Sequence, residues 1–512
     1  MIPLLIILVP LLTALAIIFL PADVLPVARV ITFFSSLFVL ILTIILFINY
    51  RPGYAGVLSG FLFAFDVPYL IEPLGSFLEL GVDGLGLFFV ILHSFIIFAA
   101  ALIYIFNQEH EEKIDYIFLN FILSFANGLF LNLDLIVFYI FWELIFISGY
   151  YLQVYTRKKK LFSSFNKLLL PALASSFLLL IGIIFIHIIT ENQAGGAVST
   201  ISAFYQLELP PAISFWLFLS FGIPFFLRAG LFPFQFWLMS LRENEFNIRI
   251  LIIALVLMKS AVYAFVRILI PFFPLQSFNR ASPVLILAII GILYLYLRAL
   301  KEIRLASIAW FLLLAQPGFV LLGLFCMDVN GISAGLFLWF VQALAMIGLG
   351  FIFELDKKPG SAKKMNDYLA PRYYKLIVIL SVLAAAGLPP AGPFAGYFLI
   401  FTSSLNQYPL LTVLAAAALI ISAAQLLRFI KQDFSKKLKF EKISLVVLLA
   451  LLLIIFVLGL RPGIILSRLK PTVQQILNEA VYFKSGCRPT ILSPGQYGES
   501  AAVKTVNHNA TG

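Results

Sequence analysis

Charge is what this sequence has least of. Asp, Glu, Lys and Arg make up 12% of its 512 residues, against about 25% in an ordinary soluble chain. Cysteine is nearly absent, with only Cys326 and Cys487, and histidine occurs four times. So few ligands exclude a disulfide framework and argue against an iron–sulfur centre, so no metal site and no cofactor is expected. What fills the chain is apolar: 62% hydrophobic residues, 54 of them Phe, with a mean hydropathy of +1.05. No water-soluble domain hides that much apolar surface, so the solvent is a lipid bilayer. A soluble enzyme, a nucleic-acid binder and a disordered scaffold all drop out. The net charge of +11 and the pI near 9.4 are therefore read against membrane topology rather than against nucleic acid.

Apolar stretches of about 20 residues predict fourteen transmembrane helices, near 1–20, 27–48, 84–106, 115–132, 134–155, 164–190, 212–237, 248–270, 282–300, 305–325, 333–354, 373–404, 407–430 and 443–460. The first lacks a basic leader and a small-residue cleavage site, and reads as a retained span. Basic residues then orient the chain. Arg157, Lys158, Lys159, Lys160 and Lys167 follow span 5. Lys357, Lys358, Lys363, Lys364, Arg372 and Lys375 follow span 11, and Arg428, Lys431, Lys436, Lys437, Lys439 and Lys442 flank the loop after span 13. The opposite connections offer only Arg51, Arg267 and Arg280. Positive loops stay in the cytoplasm, which places both termini outside. Residues 49–83, rich in Gly and Pro between apolar positions, predict an extracytoplasmic hairpin. A mildly amphipathic stretch near 464–483 predicts a surface-lying helix ahead of a polar tail.

A charge at the centre of a span costs at least about 2.5–3.5 kcal/mol, so each one needs a reason. Glu143, Arg228 and Lys259 qualify. They are either a structural ion pair or an ion relay, and the residues alone leave both open. A buried Lys can titrate near neutrality, whereas Arg keeps its proton and acts as a fixed charge. His93 and His187 also fall in spans and read as packing residues. Span 7 carries Pro224, Gly230 and Pro233, and span 12 carries Gly387-Leu388-Pro389-Pro390-Ala391-Gly392-Pro393. Proline removes a backbone donor and frees carbonyls to meet water or ions. The two breaks lie five spans apart, the pattern of inverted repeats with a path near the midplane.

Several segments together resemble one family. Leu80-Gly81-Val82-Asp83-Gly84-Leu85-Gly86-Leu87-Phe88-Phe89, Phe141-Trp142-Glu143-Leu144, Arg228-Ala229-Gly230-Leu231-Phe232-Pro233-Phe234-Gln235-Phe236-Trp237-Leu238, Lys259-Ser260-Ala261-Val262-Tyr263-Ala264-Phe265-Val266-Arg267 and Gly387-Leu388-Pro389-Pro390 are similar to signatures of the antiporter-like subunits. These occur in respiratory complex I, in Mrp-type sodium/proton antiporters and in membrane-bound hydrogenases. The likeness is to the M-type member in complex I and the D-type member in Mrp antiporters, over about residues 78–430.

The resemblance implies an all-α polytopic membrane protein with inverted five-helix repeats over spans 4–8 and 9–13. The chain would divide into 1–106 (spans 1–3 with the hairpin), a first repeat at 107–272, a second at 273–430, and 431–512 with the last span, amphipathic segment and tail. It implies a proton-translocating, non-redox subunit of a multisubunit energy-converting complex in a prokaryotic cytoplasmic membrane. The expected partners are other membrane subunits, further antiporter-like subunits among them, with the lipid bilayer as surroundings. Protons are the expected cargo and sodium the alternative. Glu143, Arg228 and Lys259 fall on the family's relay positions. Protons in that family are thought to enter near a Glu–Lys pair and move laterally along a hydrated polar axis.

The departures are specific. The family's seventh-span Lys is Arg228. Its Pro-Asp-Ala-His and Ala-Pro-Thr-Ala runs become Met239-Ser240-Leu241-Arg242 and Glu245-Phe246-Asn247-Ile248. Histidines of the tenth and eleventh spans become Gln316 and Gln342, and the ionisable residue after the twelfth-span break becomes Tyr397. A Tyr of ordinary pKa about 10 is a poor carrier of a net proton. The second half-path, Gln316, Gln342 and Tyr397, has thus lost its titrating groups. This motivates the alternative of a structural or repurposed member, such as a partner in inorganic-carbon uptake. A standalone secondary carrier is a third reading, without a distinctive solute site to support it.

Overall fold

A computed structural model describes residues 1–21, 24–51, 62–71, 76–106, 112–155, 161–194, 199–205, 207, 209–240, 248–356, 371–432 and 442–482. The chain opens with α1 (Ile2–Phe19) and α2 (Leu25–Asn49), the antiparallel hairpin β1 (Leu62–Ile71) and β2 (Ser76–Val82), and α3 (Gly84–Phe106). The next group is α4 (Lys113–Leu131), α5 (Leu135–Tyr155), α6 (Leu161–Ala194), α7 (Ile201–Tyr205), α8 (Pro211–Ala229), α9 (Phe236–Ser240) and α10 (Ile248–Ala264). A π-helical turn, Phe265–Leu269, carries α10 on into α11 (Ile270–Phe272), and α12 (Pro274–Asn279) follows. Then come α13 (Ala281–Ala299), α14 (Leu305–Leu324), α15 (Val329–Asp356), α16 (Pro371–Ala385), α17 (Gly392–Ser404), α18 (Pro409–Gln432), α19 (Lys442–Leu460) and α20 (Gly463–Tyr482).

The architecture is the expected all-α polytopic one. A backbone in hydrocarbon must satisfy its own polar groups, and long apolar helices do so. Among the described residues, twelve helices are individually long and apolar enough to cross a bilayer, or thirteen with the bent pair α19–α20, which turns by 62°. All fourteen expected stretches contain helix, but the seventh and the twelfth are each two pieces, α8 and α9 on either side of residues 230–235 and α16 and α17 on either side of the Gly-Pro break. The very short turn between α4 and α5 is held by caps. Asp134 Oδ1 accepts from the Ile136 and Val137 amides at 2.8 and 2.9 Å, and Asp134 also accepts from the Ser199 hydroxyl. The hairpin closes over this turn, the Leu133 amide donating to the Glu79 carbonyl at 2.9 Å.

Burial sorts the helices. The apolar stretches of α10, α14 and α15 are 89, 89 and 94% buried, whereas those of α1, α2 and α18 are only 33–39% buried. The helix carrying Lys259 packs on α3, α4, α5, α8 and α15, so it touches both halves of the bundle. The basic loops used for orientation, at 157–160, 357–370 and 433–441, lie outside the described residues, as do Cys487 and the tail.

Arg267 corrects the expectation of an outside connection. It lies within the buried run Ile248–Phe272, is 1% exposed, and pairs with Asp83 at 2.5 Å. An arginine eight residues beyond Lys259 reads as a loop flank in the sequence. A carboxylate from the start of α3 lets it stay inside instead.

Candidate functional site

The two breaks are built alike. At the end of α8 the Gly230 amide donates to the Leu227 carbonyl at 3.0 Å and the Leu231 amide to Phe226 at 3.1 Å. At the end of α16 the Gly387 amide donates to Ala384 and the Leu388 amide to Leu383, both at 3.1 Å. This is a Schellman motif twice, and each needs a left-handed residue. Gly230 and Gly387 supply it, with φ of 71° and 70°. Side chains add to the carbonyls at the breaks: the Trp237 indole also donates to Leu227, at 2.7 Å, and the Gln342 amide donates to Ala385 at 3.0 Å.

Arg228 sits in the last turn of α8, 5% exposed. Its guanidinium donates to the Trp142 carbonyl at 2.8 Å and lies 3.5 Å from the centroid of the Trp142 ring. Glu143, one residue on, is half-buried, and its Oε1 has no hydrogen-bond partner among the described residues. Nor does a hydrogen bond or ion pair join Glu143 and Arg228 there. The two are close enough to interact electrostatically. Arg228 is therefore held by a ring and a carbonyl, and the carboxylate is left unclamped.

Lys259 is fully buried, and its ammonium has no hydrogen-bond partner among the described residues. An ammonium carries three donors, so this is the most exacting polar group in the core. Its neighbour is His93 on α3, also fully buried, near enough to feel the lysine's charge. His93 Nε2 lies 3.1 Å from the Ile122 carbonyl, and Nδ1 has no partner among the described residues. Beyond it the Asn127 amide donates to Ser94 at 3.3 Å. His93 reads as packing in the sequence, because nothing in span 3 alone reveals a lysine beside it.

One and two turns from Lys259, α10 changes character. Tyr263 donates to the Phe130 carbonyl at 3.2 Å and accepts from Arg267 Nε at 3.2 Å. Arg267 completes its pair with Asp83, which also caps α3 by accepting from the Gly86 amide at 2.7 Å. Asp83 and Arg267 are thus paired and hydrogen-bonded, whereas the Lys259 ammonium has no such partner among the described residues.

The candidate residues of the second half, Gln316, Gln342 and Tyr397, carry no charge. Gln316 on α14 and Tyr397 on α17 bond each other, with Nε2 to hydroxyl at 2.8 Å and hydroxyl to Oε1 at 3.0 Å. The Tyr296 hydroxyl approaches those of Tyr397 and Ser422. Gln342 uses its amide nitrogen on Ala385, and its Oε1 has no partner among the described residues. Gln316, Tyr397 and Tyr296 thus form one cluster, with Gln342 apart at the break. Among the described residues, no group of three or more His, Cys, Asp or Glu is placed to hold a metal.

The NADH:quinone oxidoreductase/Mrp antiporter transmembrane family matches residues 132–422, more than half the chain. The chain belongs to this family. Its resemblance, read from the motifs, is thereby borne out. Among its relatives, chain 4 of the NADH-ubiquinone oxidoreductase of Marchantia polymorpha is 26% identical over 424 residues, 82% of this chain and 83% of that one. A chain of respiratory complex I from Thermus thermophilus superposes with a TM-score of 0.79 at 23% identity, covering 94% of this chain and all of that one. A chain of the Mrp complex from Dietzia sp. superposes at 0.75 and 15% identity, covering 94% and 98%. The family match covers both breaks and all six candidate site residues, Glu143, Arg228, Lys259, Gln316, Gln342 and Tyr397.

Proposed function

We propose that the chain is a proton-translocating, antiporter-like subunit of a multisubunit energy-converting membrane complex, working through Glu143, Arg228 and Lys259. The observation that carries this reading is the ammonium of Lys259, fully buried with no hydrogen-bond partner among the described residues. A fold tolerates so costly a group when function requires it. Charge coupling over about 5–7 Å is worth a few kcal/mol at an effective dielectric near 20. That is enough for a proton gained or lost at Lys259 to shift the balance between Glu143 and the fixed charge of Arg228. On this reading the subunit is non-redox, and a partner subunit or an ion gradient supplies the energy. Other membrane subunits are its partners, as in the complexes whose chains it superposes on. Both termini face the extracytoplasmic side of a prokaryotic cytoplasmic membrane.

The test is proton uptake by vesicles reconstituted with the intact complex. Glu143→Gln and Lys259→Met should each abolish uptake while assembly is retained; undiminished uptake in either variant refutes that residue's place in the relay. The closed pair of Gln316 and Tyr397 favours a second reading for the other half, as scaffold rather than conduit. Tyr397→Phe should then leave uptake unchanged.

A further inference from the structure

Two clefts outside the relay share one chemistry. The larger, about 350 Å³, runs between α8 and α13 and ends against the turn at Phe232 and Pro233. The smaller, about 210 Å³, lies among α2, α3, α19 and α20. Each is lined by apolar side chains and a single arginine, Arg280 in the first and Arg468 in the second. Each arginine lies over a phenylalanine of its cleft, Arg280 at 4.9 Å from the Phe215 centroid and Arg468 at 4.2 Å from Phe47. Arg468 Nε is buried without a partner among the described residues. Both arginines sit at the same face of the bundle, since α11 touches both α12, which leads to Arg280, and α20, which carries Arg468.

The clefts also open sideways, past exposed apolar side chains. Leu287, which lines the first, is 42% exposed, and Ile454 and Ile44, which line the second, are 37% and 44% exposed. Their depth is informative. At 1.5 Å per residue, Phe215 to Phe226 on α8 spans roughly 16 Å, and Gly84 to Ile91 on α3 roughly 10 Å. One leaflet contributes about half of a hydrocarbon core about 30 Å thick. A transmembrane helix of a neighbouring subunit would need the full thickness, and the first cleft ends against the turn that follows α8.

We propose that each cleft binds one anionic phospholipid of the leaflet at that face, an acyl chain lying in the apolar channel and the phosphate paired with Arg280 or Arg468. The arginine occupies the headgroup level, where its planar fork matches a phosphate. The aromatic ring beneath holds the guanidinium in place. Neither site depends on proton movement, so the proposal is independent of the relay.

The experiment is native mass spectrometry of the purified full-length chain after exchange into phosphatidylglycerol or phosphatidylcholine. Phosphatidylglycerol should be retained at two sites, and phosphatidylcholine about five-fold less. Arg280→Gln and Arg468→Gln should each remove one site, and Ala288→Trp, which fills the first channel, should remove the first whatever the headgroup. Equal retention of the two lipids by the unaltered chain overturns the charge recognition without reliance on any variant. Retention unaffected by Ala288→Trp overturns the first channel as the site. A protein helix occupying either cleft in the intact complex overturns the proposal for that cleft.

Discussion

The Arg228 guanidinium lies over the indole of Trp142, 3.5 Å from its centroid, and donates to the same residue's carbonyl at 2.8 Å. The fixed cation is thus positioned by the residue that precedes Glu143, not by its carboxylate. A desolvated cation–π contact contributes about 2 kcal/mol, so Trp142→Leu should lower the melting temperature measurably in detergent. Trp142→Phe, which keeps a ring, should lower it less. Thermal unfolding of the two variants side by side checks the ordering.

Lys259→Met separates stability from function. Removing a buried ammonium that lacks hydrogen-bond partners among the described residues eliminates a desolvation penalty, and Met fills a similar volume. The variant should melt at the same temperature as the parent or higher, yet support no proton uptake. A clear loss of stability would mean that Lys259 is a structural cation after all.

Asp83→Asn should behave in the opposite way. It strands Arg267 in the core, which costs about 3–5 kcal/mol when one member of a buried pair is removed. The double variant Asp83→Asn with Arg267→Met should recover most of that loss, because no unpaired charge is left behind. A double-mutant cycle on apparent unfolding free energy measures the coupling.

The two broken helices make a paired prediction. Alanine at Gly230 or Gly387 would be forced into a left-handed backbone, at about 1–2 kcal/mol. Its Cβ would also clash with Leu238 Cδ1 at the first break and meet the Tyr397 ring at 2.6 Å at the second. Gly387→Ala should therefore disturb the Gln316–Tyr397 pair as well as the turn. Lowered thermal stability in both variants is the expected outcome, read by the same melting assay.

Most of the architecture is legible in the sequence, because a membrane span is written as a local run of apolar residues. Both breaks are legible too, since Gly and Pro act on their own backbone. Glu143, Arg228 and Lys259 stand out because so little else in the spans is charged. The pairings are another matter. Arg267 and Asp83 are separated by 184 positions, and nothing at either end announces the other. His93 looks like a packing residue until α10 brings Lys259 beside it. Likewise, nothing in the sequence announces that the Trp142 ring and carbonyl hold Arg228. Local chemistry predicts elements and their interruptions; contacts between elements wait for the three-dimensional arrangement.

The C-terminal helix α20 gives a final consequence, one of timing. The Thr472 hydroxyl accepts from the Gly84 amide at 3.1 Å and meets the Tyr50 hydroxyl at 3.1 Å, joining positions 388 and 422 residues apart. Synthesis proceeds from the N-terminus, so these bonds form only after every span has been made. The first residue of α3, next to the Asp83–Arg267 pair, waits for another 388 residues of synthesis before this partner exists. α20 is a latch that closes on the finished bundle.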